Sequence, residues 1–133
     1  LTINRPALRT IIFNNTKEKK WLENLMHPLI ISKIKQEILS KKFEPILIIV
    51  IPLLFELNLT SLCSEIWLLD CTLQQQITRL RQRDDIDEKT ALMIINSQIS
   101  LRDKKKFTDV IIKNTGYKNE WENEVNNHLN QYL

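Results

Sequence analysis

Apolar and polar positions change period several times along the chain, and each change marks an expected element. Residues 46–51 read Ile-Leu-Ile-Ile-Val-Ile with no polar break and run straight into Pro52. The run is β-branched and does not alternate, so it predicts a strand covered on both faces, as in a parallel α/β sheet. Pro52 cannot donate to a ladder and marks the strand's end. Glu65-Ile66-Trp67-Leu68-Leu69-Asp70 predicts a second buried strand, over 66–70, and Asp109-Val110-Ile111-Ile112 a third, over 109–112.

Helical periods fill the rest. Asn4-Arg5-Pro6 is a cap-type residue followed by an early proline, and Leu8, Ile11 and Ile12 then share one face. Asn15 with Glu18 resembles a capping box for a second helix with Trp21, Leu22 and Leu25 as its stripe. Pro28 removes a hydrogen bond from that helix, so His27-Pro28 predicts a kink or a restart. Ile30, Ile34 and Ile38 carry the stripe on, and Lys41-Lys42 supplies the charge a helix C-terminus favours. Residues 58–64 read as a polar linker with one helical turn at most. Leu73, Ile77 and Leu80 predict the next helix, 84–88 a charged turn, and Ala91, Leu92, Ile95 and Ile99 another helix. Residues 101–106 read as an exposed basic turn. Lys113-Asn114-Thr115-Gly116 is a turn in which Gly116 can take a positive φ. Tyr117, Trp121, Val125 and Leu129 predict a last helix. Helices interleaved with buried strands define the α/β class, here as a single domain over 1–133.

Composition narrows the function. Of the 133 residues, 43% are hydrophobic and 26% charged, which fits one folded domain and argues against disorder. The net charge of +3 suits phosphorylated small molecules but does not argue for nucleic acid. Lys104, Lys105 and Lys106, with Lys41 and Lys42, could form a basic interaction surface, but interleaved aromatic platforms are missing. Cys63 and Cys71 are expected to be reduced thiols in a cytoplasmic protein, with no zinc spacing around them. Neither a secretory signal nor an apolar run of about 20 residues is present, so no membrane role is expected. Gly116 is the only glycine, which excludes a glycine-rich phosphate loop within these residues. With no initiator Met at Leu1, an upstream segment is expected.

Two stretches carry candidate chemistry. In open α/β sheets ligands sit beyond the carboxyl ends of strands, which singles out Pro52, Leu53, Leu54, Phe55 and Glu56; the three middle residues read equally well as core. Gln76, Arg79 and Arg83 lie at i, i+3 and i+7 and share one side of a helix. A guanidinium fork matches a phosphate edge, so Arg79 and Arg83 suit a nucleotide. The same arginines also suit a solvated face paired with Asp84, Asp85 and Asp87. A histidine beside a proline, as at His27, is more often structural than a ligand.

Taken together these residues resemble the dephospho-coenzyme A kinase family, P-loop relatives of the nucleoside monophosphate kinases. Five pieces carry the likeness, in the family's order: Arg5 ahead of a short helix; Leu22 to Ile30 around His27-Pro28; Ile51-Pro52-Leu53-Leu54-Phe55-Glu56; Gln76-x-x-Arg79-Leu80-x-x-Arg83-Asp84; and Gln98 through Lys104 to Asp109-Val110-Ile111-Ile112-x-Asn114-x-Gly116. The resemblance covers essentially the whole chain. It implies transfer of the γ-phosphoryl group of ATP, with magnesium, to the ribose 3′-hydroxyl of dephospho-coenzyme A, the last step of coenzyme A synthesis.

By the same resemblance, Arg79, Arg83, Arg102, Lys104, Asn114 and Gly116 would serve ATP and the lid, with 84–106 as that lid. Arg5, His27 and Pro28, in a helical acceptor-side region at 1–44, and residues Pro52, Leu53, Leu54, Phe55 and Glu56 would line the acceptor side, and the remainder would be the nucleotide-binding core. The implied architecture is a three-layer α/β/α P-loop kinase fold with parallel strands near 46–51, 66–70 and 109–112. Its central P-loop strand, general base and magnesium ligands would lie upstream of Leu1, leaving this chain inactive and poorly stable alone. The sequence departs from the family at Asn4, where Asp is usual, at Asp85, where Gly is common, and at Thr108, where Ala is favoured. A non-catalytic adenine- or coenzyme A-binding remnant is the alternative. Another nucleoside monophosphate kinase is a further one, against which His27-Pro28 and residues 52–56 argue.

Overall fold

Two parallel strands form the sheet: β1 (Trp67–Asp70) and β2 (Val110–Lys113), in register Trp67↔Val110 through Asp70↔Lys113. The structure is a computed structural model that describes residues 3–114, 116 and 118–132. Thr115 and Tyr117, expected in the last turn and on the last helix, lie outside the described residues.

The chain divides into two units, one ending at Ile48 and one beginning at Ile49. The first is a pair of packed helices, α1 (Arg5–Asn14) and α2 (Thr16–Ser40). Asn4 caps α1 by accepting from the Ala7 N–H at 3.1 Å, with Pro6 in the first turn where its missing N–H costs nothing. Asn15 caps α2 by accepting from the N–H groups of Lys17 and Glu18. A reciprocal box does not close there, because the Asn15 N–H is already given to the Ile11 carbonyl at 3.0 Å. The helix does not restart at His27-Pro28; α2 runs through Pro28 for 25 residues. An interior proline removes one hydrogen bond, and here the turns on either side continue the helix past it.

The predicted strand over 46–51, which runs across the boundary into the second unit, is not formed. No described residue pairs with the segment, and a strand exists only through its neighbour's ladder. Nor is it covered on both faces: Val50 is 86% exposed. A turn then leads through 52–58 to a 3₁₀ turn at Thr60–Leu62. Joining two parallel strands requires a crossover, and here it consists of α3 (Leu73–Asp84), α4 (Glu88–Asn96) and α5 (Leu101–Lys104). Ile99 falls beyond the end of α4, not on it as expected. The last helix, α6 (Lys118–Leu129), packs on β2. Leu54, Leu59, Ile77, Ala91 and Ile112 are the buried apolar residues. They place the core of this unit between α3, α4, β2 and the turn after Pro52. β1 is half-buried along most of its length, and β2 buries Ile112 while Ile111 and Lys113 are exposed, in contrast to the fully covered strands the sequence predicts.

Candidate functional site

The site grows from the carboxyl end of β1. Asp70 ends that strand, and Thr72 starts α3 through a closed capping box: Thr72 Oγ1 accepts from the Gln75 N–H at 3.2 Å and Gln75 Oε1 accepts from the Thr72 N–H at 3.0 Å. This fixes the direction in which α3 leaves the sheet. At the matching end of β2, the Asn114 N–H donates to the Asp70 carbonyl at 2.8 Å, continuing the ladder by one bond.

Arg79 ties the two ends together. Its Nη2 donates to both the backbone carbonyl and the Oδ1 of Asn114, each at 3.1 Å. Gly116 follows at φ +114, and a Cβ placed there would come 4.0 Å from the same Nη2. Arg79 also contacts the thiol of Cys71, whose pKa is raised chiefly by burial.

A cavity of about 830 Å³ opens beside these groups. Gln76, Arg79 and Arg83 of α3 line it, and so do Arg102, Lys104 and Lys105. Asp70 is the one carboxylate lining it, and its Oδ2 pairs with Lys105 Nζ at 2.6 Å. Arg83 is held by its neighbour: Nε and Nη2 both meet the Asp84 carboxylate at 3.0 Å, while the side chain remains 72% exposed. Of the aspartates the sequence offered as partners, Arg83 takes Asp84 while also lining the cavity, and Arg79 is held by Asn114 instead.

Lys104 departs most from expectation. The basic turn 101–106 was expected to be exposed, yet Lys104 retains only 7% exposure. Its ammonium meets Glu56 Oε1 at 2.9 Å, and the same oxygen accepts the Ile99 N–H at 3.0 Å. A charge this far from water persists only with a partner, and Glu56 is that partner. Burial pushes the Glu56 carboxyl up, but the hydrogen bonds from Lys104 and from backbone N–H groups outweigh it and hold the pKa below its ordinary value. Glu56 Oε2 is buried with no hydrogen-bond partner among the described residues.

Lys104 also lines a second cavity, of about 510 Å³, with Phe55, Asn58, Thr60, Ile66, Ile99 and Phe107. The rings of Phe55 and Phe107 lie 6.5 Å apart.

The predicted site residues therefore fall into groups. Arg79, Arg83, Arg102 and Lys104 line one cavity, and Asn114 and Gly116 sit against Arg79. Within the 52–56 loop, Leu54 is core, Phe55 lines the smaller cavity, and Glu56 pairs with Lys104. Pro52 is exposed and Leu53 half-buried. Arg5 opens α1 and is exposed; His27 is half-buried and Pro28 exposed within α2, all three in the first unit. Asp70, Cys71 and Lys105 were not anticipated. Asp70 stands at the carboxyl end of a parallel strand, a position that would have pointed to it.

A family model described as dephospho-CoA kinase matches residues 2–120. The chain belongs to the dephospho-CoA kinase family. A dephospho-CoA kinase of Prochlorococcus marinus strain MIT 9312 is 43% identical over 123 residues, covering 92% of this chain and 60% of that protein. One from Trichormus variabilis is 41% identical over 114 residues, covering 86% and 58%. Among solved structures, dephospho-CoA kinase from Campylobacter jejuni superposes with a TM-score of 0.64 at 32% identity, over 98% of this chain and 65% of that one. A Thermus thermophilus crystal structure gives a TM-score of 0.76 at 25% identity, over 98% and 68%. The chain spans 54% to 61% of the length of the curated dephospho-CoA kinases it matches.

Proposed function

We propose that this chain is part of an ATP-dependent kinase that phosphorylates the ribose 3′-hydroxyl of dephospho-coenzyme A, giving coenzyme A. One observation carries the reading beyond family membership: Arg79, Arg83, Arg102, Lys104 and Lys105 gather around a single cavity at the carboxyl end of a parallel strand. Phosphoryl transfer asks a protein mainly for positioning and for neutralisation of charge on the equatorial oxygens. A cation-lined cavity of about 830 Å³ offers both to a nucleotide triphosphate. In this reading Arg79 and Arg83 meet the adenine and phosphates of ATP, with Asn114 and Gly116 bordering the base. Segment 84–106 is the lid that excludes water when it closes. Arg5, His27, Pro28 and residues 52–56 serve the acceptor.

ATP is used by such kinases as its magnesium complex. Asp70 is the one carboxylate of the cavity and is engaged by Lys105. Among the described residues no group of three or more His, Cys, Asp or Glu converges on a metal position. The residues present do not compose a magnesium site, so magnesium enters as part of the substrate and no step is assigned to it. Among the described residues no helix is long and apolar enough to cross a membrane.

With Gly116 the only glycine, these residues carry no glycine-rich phosphate loop. The chain alone is therefore expected to hold ligands without turning them over. The test is ATP-dependent formation of coenzyme A from dephospho-coenzyme A, by the full-length gene product and by this chain in parallel. Turnover by the full-length protein alone supports the proposal in full. Binding of dephospho-coenzyme A by calorimetry with turnover in neither would favour a non-catalytic remnant. A folded full-length protein that neither binds nor turns over would refute the kinase reading.

A further inference from the structure

We infer that Glu56 is a positioning residue: it holds the Lys104 ammonium in the wall shared by the two cavities, between the phosphoryl donor and the acceptor. The inference rests on the kinase reading above but concerns a residue that reading assigns to acceptor contact.

Four observations lead to it. Lys104 lines both the larger cavity and the smaller one. It is the buried member of its basic segment, whereas Arg102, Lys105 and Lys106 are exposed. Lys105 and Lys106 are drawn to Asp70 and Asp103, each at 2.6 Å. Glu56 Oε1 meets Lys104 at 2.9 Å and at the same time accepts the Ile99 N–H at 3.0 Å, just ahead of α5. One oxygen thus ties the turn after Pro52 to the segment that delivers Lys104.

The chemistry follows from counting donors. An ammonium has three N–H groups, and Glu56 takes one of them. The other two remain for ligand oxygens on either side of the wall. Without Glu56 a desolvated ammonium would have no compensating charge, and its flexible stem would let it leave for water. Glu56 therefore acts through Lys104, without touching substrate.

The experiment is a double-mutant cycle on the full-length protein with E56Q, K104M and the pair, reading kcat and both KM values. An oriented donor at developing charge contributes on the order of a hundredfold, so its misplacement in E56Q should lower kcat by roughly tenfold or more. KM for dephospho-coenzyme A should stay within about twofold of wild type, because E56Q removes an interaction made in the transition state. In the K104M background E56Q should cost no further kcat, and E56D should restore part of what E56Q loses. If E56Q instead raises the acceptor KM with kcat intact, in either background, Glu56 touches the acceptor through its unpartnered Oε2 and the inference is overturned.

A second readout is independent of turnover. Reductive methylation with per-lysine mass spectrometry should modify Lys104 at least roughly tenfold more slowly than Lys41 and Lys42 in wild type. In E56Q that protection should vanish while the circular dichroism spectrum is kept. Equal protection of Lys104 with and without the Glu56 carboxylate overturns the inference even if the protein proves to have no kinase activity, an outcome that would separately refute the kinase reading.

Discussion

Arg79 donates from one nitrogen to two oxygens of Asn114, the backbone carbonyl and Oδ1, each at 3.1 Å. The contact links the middle of α3 to the residue just after β2, and so locks the crossover onto the sheet. Arg79→Ala leaves a half-buried carbonyl and amide without their charged donor. Hydrogen bonds to charged groups are worth more than neutral ones, so the variant should lose about 1–2 kcal/mol in urea unfolding. Arg79→Lys should recover only part of this, because an ammonium lacks the planar fork. A lysine variant as stable as wild type would show that charge alone, and not the reach and fixed N–H directions of Nη2, makes the contact.

The conformation after β2 depends on Gly116, whose φ of +114 lies where side chains rarely go. A Cβ there would have ordinary contact with Arg79 and no clash, so any cost is backbone strain. Gly116→Ala should destabilise by about 1–3 kcal/mol in the same unfolding assay. An unchanged midpoint would mean that this turn relaxes freely without loss of fold.

Asp85 is the opposite case. It closes α3 in the left-handed region, at φ 50, where a glycine carries no steric penalty. Asp85→Gly should raise stability by up to about 1 kcal/mol, read as a higher thermal midpoint. A lower midpoint would show that the Asp85 side chain itself contributes to the cap.

What the sequence discloses and what it hides follow from how each feature is made. Gln76, Arg79 and Arg83 were legible as one face because helical spacing alone fixes which side chains are neighbours. Asn4, Asn15 and the positive φ of Gly116 were legible for the same reason, since caps and turns are local. The strand at 46–51 was misread because its apolar run satisfies the pattern of a strand but cannot supply the neighbour that makes one. Lys104 was misread because nothing in Lys104-Lys105-Lys106 says which lysine turns inward. That choice is made by Glu56, distant in sequence, and becomes visible only when the turn after Pro52 meets α5. Leu73 fits the apolar stripe of α3 yet is exposed, whereas Ile77 on the same stripe is core; the stripe predicts a face but not how far the neighbours cover it.

The unpaired 46–51 segment has a consequence for handling this chain. Ile48 and Val50 are exposed on a backbone edge that has no ladder partner among the described residues. Such edges pair with other chains, and a charged side chain on them opposes that. Val50→Lys should lower light scattering at high protein concentration while leaving the far-UV circular dichroism unchanged. Equal aggregation of both proteins would place the sticky surface elsewhere.

The Glu56–Lys104 pair should leave a signature in acid. Burial raises the Glu56 carboxyl, but hydrogen bonds from Lys104 and from the backbone outweigh it, so its folded-state pKa lies below the ordinary 4.5. A carboxyl with a depressed folded pKa contributes stability that is fully present above its unfolded value and is lost as pH falls through the folded one. E56Q removes this contribution at every pH. The gap in urea midpoint between wild type and E56Q should therefore be greatest and constant near neutrality. It should begin to close below about pH 4.5 and narrow steadily as wild-type Glu56 takes up its proton. Protonation of Glu56 removes the carboxylate that pairs with the buried Lys104 ammonium, and the loss falls on the wild type alone. A gap that stays constant from about pH 7 down to about pH 3 would show that Glu56 holds its neighbours by shape and not by charge.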